Sequence, residues 1–450
     1  MRQDLTTGSV TGTMLRFALP MILGNVLQQC YNLADTWIVG RFLGTGALGA
    51  VGSAYTLMTF LTSLIIGMCM GAGALFSISY GQRDLERMRE YLASAFVLIL
   101  GITALLTAGS YGLLHPVLHW MQTPAEVYDG MAAYVRVILA GLPFLFFYNY
   151  FAFALRSLGN SVAPLVFLGI STVLNIVLDV LFVAVLGRGV AGAAEATVIA
   201  QGVAGLGIAL YSLLREPLVR PDRGMRVRGR TLWAIFSYSA ATGAQQSVMN
   251  FGILMVQGLV NSFGASVMAA FAAGVKIDTL AYMPAQEFGN AYSIFISQNY
   301  GAGNARRIRA GTRSAVILVL CFCIVVSGAV WLLAPRLISI FIQPQEIHAL
   351  AVGVEYLRIE GACYAGIGIL FLLYGYFRAV ERPGISLLLT VISLGTRVLL
   401  AYSLAPRFGV EAIWWAIPIG WALADISGAV LQRTARRRGG GNTPQGADEV

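Results

Sequence analysis

The stretch that decides the fold is REPLVRPDRGMRVRGR, residues 215–230. It is the longest polar interval in a chain of 450 residues that is 57% hydrophobic and only 11% charged, with a mean hydropathy of +0.73. On both sides of it apolar runs of about 20 residues recur, and each is long enough to cross the hydrocarbon core of a bilayer. A soluble domain carries far more charge than this. Working outward, six spans are expected before the interval, near 13–37, 46–79, 91–114, 127–155, 164–186 and 193–214. Six more are expected after it, near 231–262, 267–299, 314–334, 347–377, 384–404 and 412–432. The expected fold class is an all-α polytopic membrane protein, with twelve transmembrane helices in two pseudo-symmetric six-helix lobes. Residues 13–214 form the N-lobe, 215–230 the linker, 231–432 the C-lobe, and 433–450 a tail whose GGGNTPQGADEV stretch reads as disordered.

The formal charge of +9 does not signal nucleic acid, because the basic residues are sorted by loop. Counting Arg16 at the start of the first span, the N-terminus, the even-to-odd loops and the tail hold 22 arginines, against four in the odd-to-even loops: Arg41, Arg188, Arg336 and Arg407. The positive-inside rule then places both termini in the cytoplasm, which suits a bacterial cytoplasmic membrane. The N-terminus shows no short apolar segment with a small-residue cleavage site, so no removable signal peptide is expected. The five cysteines all lie in apolar runs and form no disulfide or zinc pattern.

The two halves repeat one plan. At an offset of 220 residues, Gly44 meets Gly264, Tyr80-Gly81 meets Tyr300-Gly301, Arg87 meets Arg307, and Gly189-Val190 meets Gly409-Val410. At an offset of 222, Tyr134, Arg136 and Arg156 meet Tyr356, Arg358 and Arg378. With six spans each, both halves enter from the same side, which makes a parallel repeat of the kind transporters use.

Within this apolar frame VLNIVLDVLF, residues 173–182, carries Asn175 and Asp179 on one helix face. A carboxylate at bilayer depth costs roughly 2.5–3.5 kcal/mol on insertion scales, so it persists where it faces a polar interior and has partners. Span 1 offers a second polar stripe: Asn25, Gln28, Gln29, Asn32 and Asp35 trace one face over nearly three turns. Asp35, Asp179, Tyr134 and Thr197 all fall within about 3–12 Å of the outer ends of spans 1, 5, 4 and 6. They are therefore expected to converge. Two carboxylates, an amide and a hydroxyl form a hard-oxygen set suited to Na⁺ at Asp35, Asn175 and Asp179, or to a shared proton. The second half does not copy this set, since Asp35 meets Met255 and Asn32 meets Gly252. Its polar groups are Lys276, Asp278, Glu287 and Arg397, read either as structural ion pairs or as substrate or gating groups, with Glu355 and Glu360 in span 10.

Four stretches then resemble a known family. DTWIVGRFLGTGALGAVGSA (35–54), GMCMGAGALFSISYGQRD (67–84), KIDTLAYMPAQEFGNAYSIFISQNYGAG (276–303) and AIWWAIPIGWALAD (412–425) look like the multidrug and toxic compound extrusion (MATE) family, with likeness from about Met14 to Gln432. The acid in span 1 and the Asn-x₃-Asp of span 5 resemble its DinF-like branch. The resemblance implies two six-helix lobes, export of amphipathic or cationic small molecules in exchange for Na⁺ or H⁺, and no cofactor. It also implies a cation site at Asp35, Tyr134, Asn175, Asp179 and Thr197, and a bend of helix 1 at Pro20. The family's other branch relies on acids in spans 7 and 10, and span 7 here has none.

The expected protein is a monomeric secondary antiporter among membrane lipids, with Asn25, Gln28, Gln29 and Asn32 facing the solute. A lipid or oligosaccharide flippase of the same superfamily is the alternative, and it calls for a strongly cationic cavity, against which Asp35 and Asp179 argue. An enzyme is not expected. There is no Ser–His pair, and the three histidines lie in or beside outward loops. Of these, His115 and His119 lack a third metal ligand.

Overall fold

A computed structural model describes residues 3–120, 125–220 and 227–439. Residues 221–226 of the expected linker and 440–450 of the expected tail lie outside the described residues. In chain order the helices are α1 Val10–Gly81, α2 Leu85–Trp120, α3 Ala125–Ser157, α4 Val162–Asp179, α5 Gly189–Arg215 and α6 Gly229–Asn261. They continue with α7 Ala265–Gly301, α8 Ala305–Ile338, α9 Ile347–Ala362, α10 Tyr364–Ala379, α11 Pro383–Phe408 and α12 Glu411–Gly439. No strand occurs among the described residues. An all-helical backbone is what hydrocarbon demands, because each N–H and C=O must be bonded within its own segment.

Helix α1 carries the first two expected spans, as the apolar stretches Val10–Gly44 and Leu57–Gly81, and between them the chain turns at Gly44, where φ 84 and ψ −176 suit a residue without Cβ. Among the described residues ten stretches are long and apolar enough to cross a membrane, and α9 with α10 makes an eleventh as one span bent by 51° at Cys363. The chain is thus a multi-pass membrane protein. Helix α6 is long enough but is not among them, because Gln245, Gln246, Asn250 and Gln257 interrupt its apolar run. After Asp179, α4 widens into a π-helical segment, Val180–Val185.

The chain divides into two compact units. One holds the described residues up to Phe251 with Asn290–Ala315 and Arg378–Gly384; the other holds Gly252–Gly289, Val316–Phe377 and the described residues from Ile385 on. These units cut across the sequence repeats, since α7 contributes to both. Inside the first unit α5 lies along α3 at backbone distance: a Cβ on Gly205 would stand 2.5 Å from the Phe144 carbonyl oxygen. Small residues let membrane helices approach in this way. The repeat-matched Gly81 and Gly301 do the same for each other's neighbours. A Cβ on Gly81 would meet the Gln298 carbonyl oxygen at 2.0 Å, and one on Gly301 would meet the Ile78 carbonyl oxygen at 2.0 Å. In the second unit Phe271 stacks on Trp414 at 5.5 Å, and Tyr356 stands edge-on to Trp414 at 4.8 Å. This cluster orients Tyr356.

A Gly205→Ala variant is expected to lose about 1–3 kcal/mol, the usual cost of overpacking a dense contact. Gly101→Ala has nothing within 4 Å of the new methyl and is expected to unfold with the parent. Thermal unfolding in detergent compares them, and equal midpoints would show that α3 and α5 tolerate wider spacing.

Candidate functional site

Helix α4 presents Asn175 and Asp179 one turn apart and then loosens into the π-helical segment. Such wide turns recur at functional sites because they free side chains and carbonyls from the regular ladder. Asp179 is fully buried, Asn175 is 2% exposed and Asp35 8% exposed. With the Asn175 amide oriented to satisfy both neighbours, it donates to Asp179 Oδ2 at 2.7 Å and accepts from the Thr197 backbone N–H at 3.2 Å. The Thr197 hydroxyl donates to the Ala193 carbonyl at 3.1 Å, so the Tyr31 hydroxyl, 3.1 Å away, donates to Thr197. Asp35 lies close enough to act electrostatically on Asp179, and both act on buried Tyr134. Asp35, Tyr134, Asn175, Asp179 and Thr197 are thus neighbours within the first unit. Asp35 Oδ1 and Asp179 Oδ1 have no donor among the described residues.

Two buried carboxylates with unanswered oxygens, beside an amide and two hydroxyls, fit a small hard cation or a shared proton. They do not fit a transition metal: among the described residues no three His, Cys, Asp or Glu side chains cluster. Asn25, Gln29 and Asn32 are half-buried and Gln28 is exposed, so the amides of α1 are more open than Asp35. Pro20 is half-buried, and the only non-helical dihedrals in α1 are at Gly44, so α1 stays helical through the proline.

The second unit holds a further acid pair. Asp278 and Glu360 are 2% and 3% exposed, and their carboxyl groups lie within hydrogen-bond reach of each other. Tyr364 donates to Asp278 Oδ1, and Tyr356 donates to Glu360 Oε2 at 3.0 Å. Asp278 Oδ2 and Glu360 Oε1 have no donor among the described residues. Arg397 is near enough to act on both acids. Lys276 points the other way, exposed and 5.9 Å above the Phe341 ring, as its two-residue offset from Asp278 requires. Glu287 is half-buried further along α7.

Sequence reasoning missed Tyr31 and the tyrosines of the second pair. Tyr31 precedes Asp35 by four residues, which is same-face spacing. Tyr356 is the repeat partner of Tyr134, so the match at offset 222 already pointed to an acid site around it.

A family model described as MatE matches residues 20–181 and again 241–403, one match in each half of the repeat. The chain is 31% identical over 390 residues to "Probable multidrug resistance protein YpnP" of Bacillus subtilis, covering 87% of each chain. It is 25% identical over 446 residues to "DNA damage-inducible protein F" of Escherichia coli, covering 94% of this chain and 92% of that one. A solved structure of a MOP superfamily transporter from Pyrococcus furiosus superposes with a TM-score of 0.91 at 24% identity, over 97% of this chain and 98% of the other. That likeness speaks to the fold.

Thr197→Ala removes the hydroxyl that Tyr31 holds and is expected to weaken cation binding about 2- to 10-fold, the range of one hydrogen bond of about 0.5–1.5 kcal/mol. Thr197→Ser restores it. The readout is the shift in thermal unfolding on adding NaCl or lowering pH, and an Ala variant as responsive as the parent would remove Thr197 from the site.

Proposed function

The chain belongs to the MatE family, and from that membership we propose that it is a secondary multidrug antiporter. It exports amphipathic or cationic compounds in exchange for Na⁺ or H⁺ by alternating access of two lobes, 13–214 and 231–432, joined by the 215–230 linker. Both termini lie in the cytoplasm, the membrane is the bacterial cytoplasmic membrane, and a monomer is the working unit.

The observation that supports this reading most is the pair of unanswered, buried oxygens on Asp35 and Asp179. A carboxylate in low dielectric attracts the nearest cation strongly. A cationic solute against the Asn25, Gln28, Gln29 and Asn32 face of α1 is held by that charge. When Na⁺ or H⁺ reaches Asp35 and Asp179, the charge is cancelled and the solute is released. Asn175 hands the event on, because it is hydrogen-bonded both to Asp179 and to the α5 backbone at Thr197. A coupling ion shifts the lobes only by its differential affinity for the two states, so the site must change geometry between them. Pro20 gives α1 a point at which its axis can bend.

Asp278 and Glu360 extend the reading to the second repeat. Their facing oxygens call for a shared proton or a cation there too, and Tyr356 and Tyr364 hold the pair in register. Removing one acid leaves its partner without that bridge and alters the coupling stoichiometry, whereas a purely structural pair would lower stability instead.

Export of a fluorescent cationic dye from proteoliposomes, driven separately by a Na⁺ gradient and by a pH gradient, identifies the ion. Asp35→Asn and Asp179→Asn are each expected to abolish export at unchanged protein level, and export at the parental rate by either one would refute the site. Asp278→Asn is expected to change the number of ions moved per dye. An unchanged number with a lowered melting temperature would make that pair structural.

A further inference from the structure

The first described residues form a strap across the arginine-rich end of the first unit. The Gln3 backbone N–H donates to the Gly159 carbonyl at 3.1 Å. Gly159 has φ +82, and a Cβ there would stand 1.9 Å from the Gln3 carbonyl oxygen, so this turn receives the strap only as glycine. Leu5 is fully buried, and its carbonyl accepts from Asn299 Nδ2 at 3.1 Å. Arg307 then gathers three strap carbonyls: Nη1 donates to Gly8 at 2.7 Å, and Nη2 to Leu5 at 3.1 Å and Thr7 at 3.0 Å. Its Nε donates to Asn299 Oδ1 at 3.1 Å, which aims the guanidinium. Beyond the strap, the hydroxyls of Thr11 and Ser314 meet at 2.7 Å.

The two anchors belong to different repeats. Gly159 sits in the turn between α3 and α4, whereas Asn299 and Arg307 flank the turn between α7 and α8. Those turns are also tied directly, by Gln298 Nε2 to the Ser157 carbonyl at 2.7 Å. Beside them α1 and α7 are in backbone contact at Gly81 and Gly301, and Ala74 is 3% exposed beside Ser293 and Arg378. Only arginine presents donors in a fork wide enough to hold several carbonyls at once; lysine concentrates its three at one point.

We infer that residues Gln3–Gly8 are a latch, fastened by Arg307, which keeps the arginine-rich end shut and must let go before that end opens. The inference rests on the alternating-access reading above, since a latch needs two states to choose between. Charge-assisted bonds to neutral carbonyls are strong enough to bias such an equilibrium and weak enough to break within a transport cycle.

The reporter is Ala74→Cys in a background where Cys30, Cys69, Cys321, Cys323 and Cys363 are replaced by alanine. Its labelling by N-ethylmaleimide in the purified full chain is expected to rise about tenfold with Arg307→Ala, and by less with Arg307→Lys. Labelling at the parental rate in both would overturn the latch. If Arg307→Ala fails to fold, a Thr11→Cys, Ser314→Cys pair answers instead, because it joins two touching side chains and removes no strap contact. The oxidised pair is expected to stop export and the reduced pair to restore it, whereas undiminished export by the cross-linked protein overturns the latch. A parent that exports nothing under any gradient would sink the antiporter reading, while the labelling comparison would still decide the latch.

Discussion

Hydrocarbon offers no hydrogen bonds, and almost every feature of this protein is a response to that. The backbone answers by being helical in the membrane-crossing stretches, with one break at Cys363 among the described residues. Hydroxyls answer by turning back on their own helices: Thr62 donates to Met58, Ser77 to Gly73, and Ser212 to Ile208. Against that background, a buried oxygen left without a donor carries information. Asp35, Asp179, Asp278 and Glu360 each retain one. These carboxylates sit in pairs, and a pair of anions in low dielectric is stable only with something positive between them. On the function proposed above, those two pairs are the points where a mobile cation would bind.

The two repeats share a plan and have drifted in chemistry. Tyr134 and Tyr356 occupy matched positions, and each lies beside a pair of acids. The acids themselves come from unmatched places: α1 and α4 in the first half, α7 and α9 in the second. The second half also breaks its helix between Ala362 and Tyr364, which brings a second tyrosine to the pair. In the first half the irregularity falls instead just after Asp179, as a π-helical turn. Each site is therefore built where a helix departs from regular geometry, but by a different departure.

Close approach is the second recurrent device. Without a hydrophobic drive between helices in lipid, association relies on packing backbone against backbone. Gly205 does this for α3 and α5, and so hold α5 near the rest of the first site. Gly81 and Gly301 do it between repeat-matched helix ends. These contacts admit no side chain, so a helix pair held this way is seated at one fixed distance.

Much was legible in the sequence, for a physical reason. Spans follow from apolar length, duplication from a constant offset, and the candidate acids from the cost of placing Asp35 and Asp179 among aliphatic residues. All of these are local or periodic properties of the chain. What depended on distant contacts was not legible. Tyr31 reaching Thr197, Glu360 near Asp278, and Arg307 closing on the carbonyls of Leu5, Thr7 and Gly8 are pairings across about 80 to 300 positions of chain. Sequence determined which groups could not be left in lipid; only the packed helices decided which partner answered each of them, because a hydrogen bond depends on distance and angle, and neither is written in the order of residues.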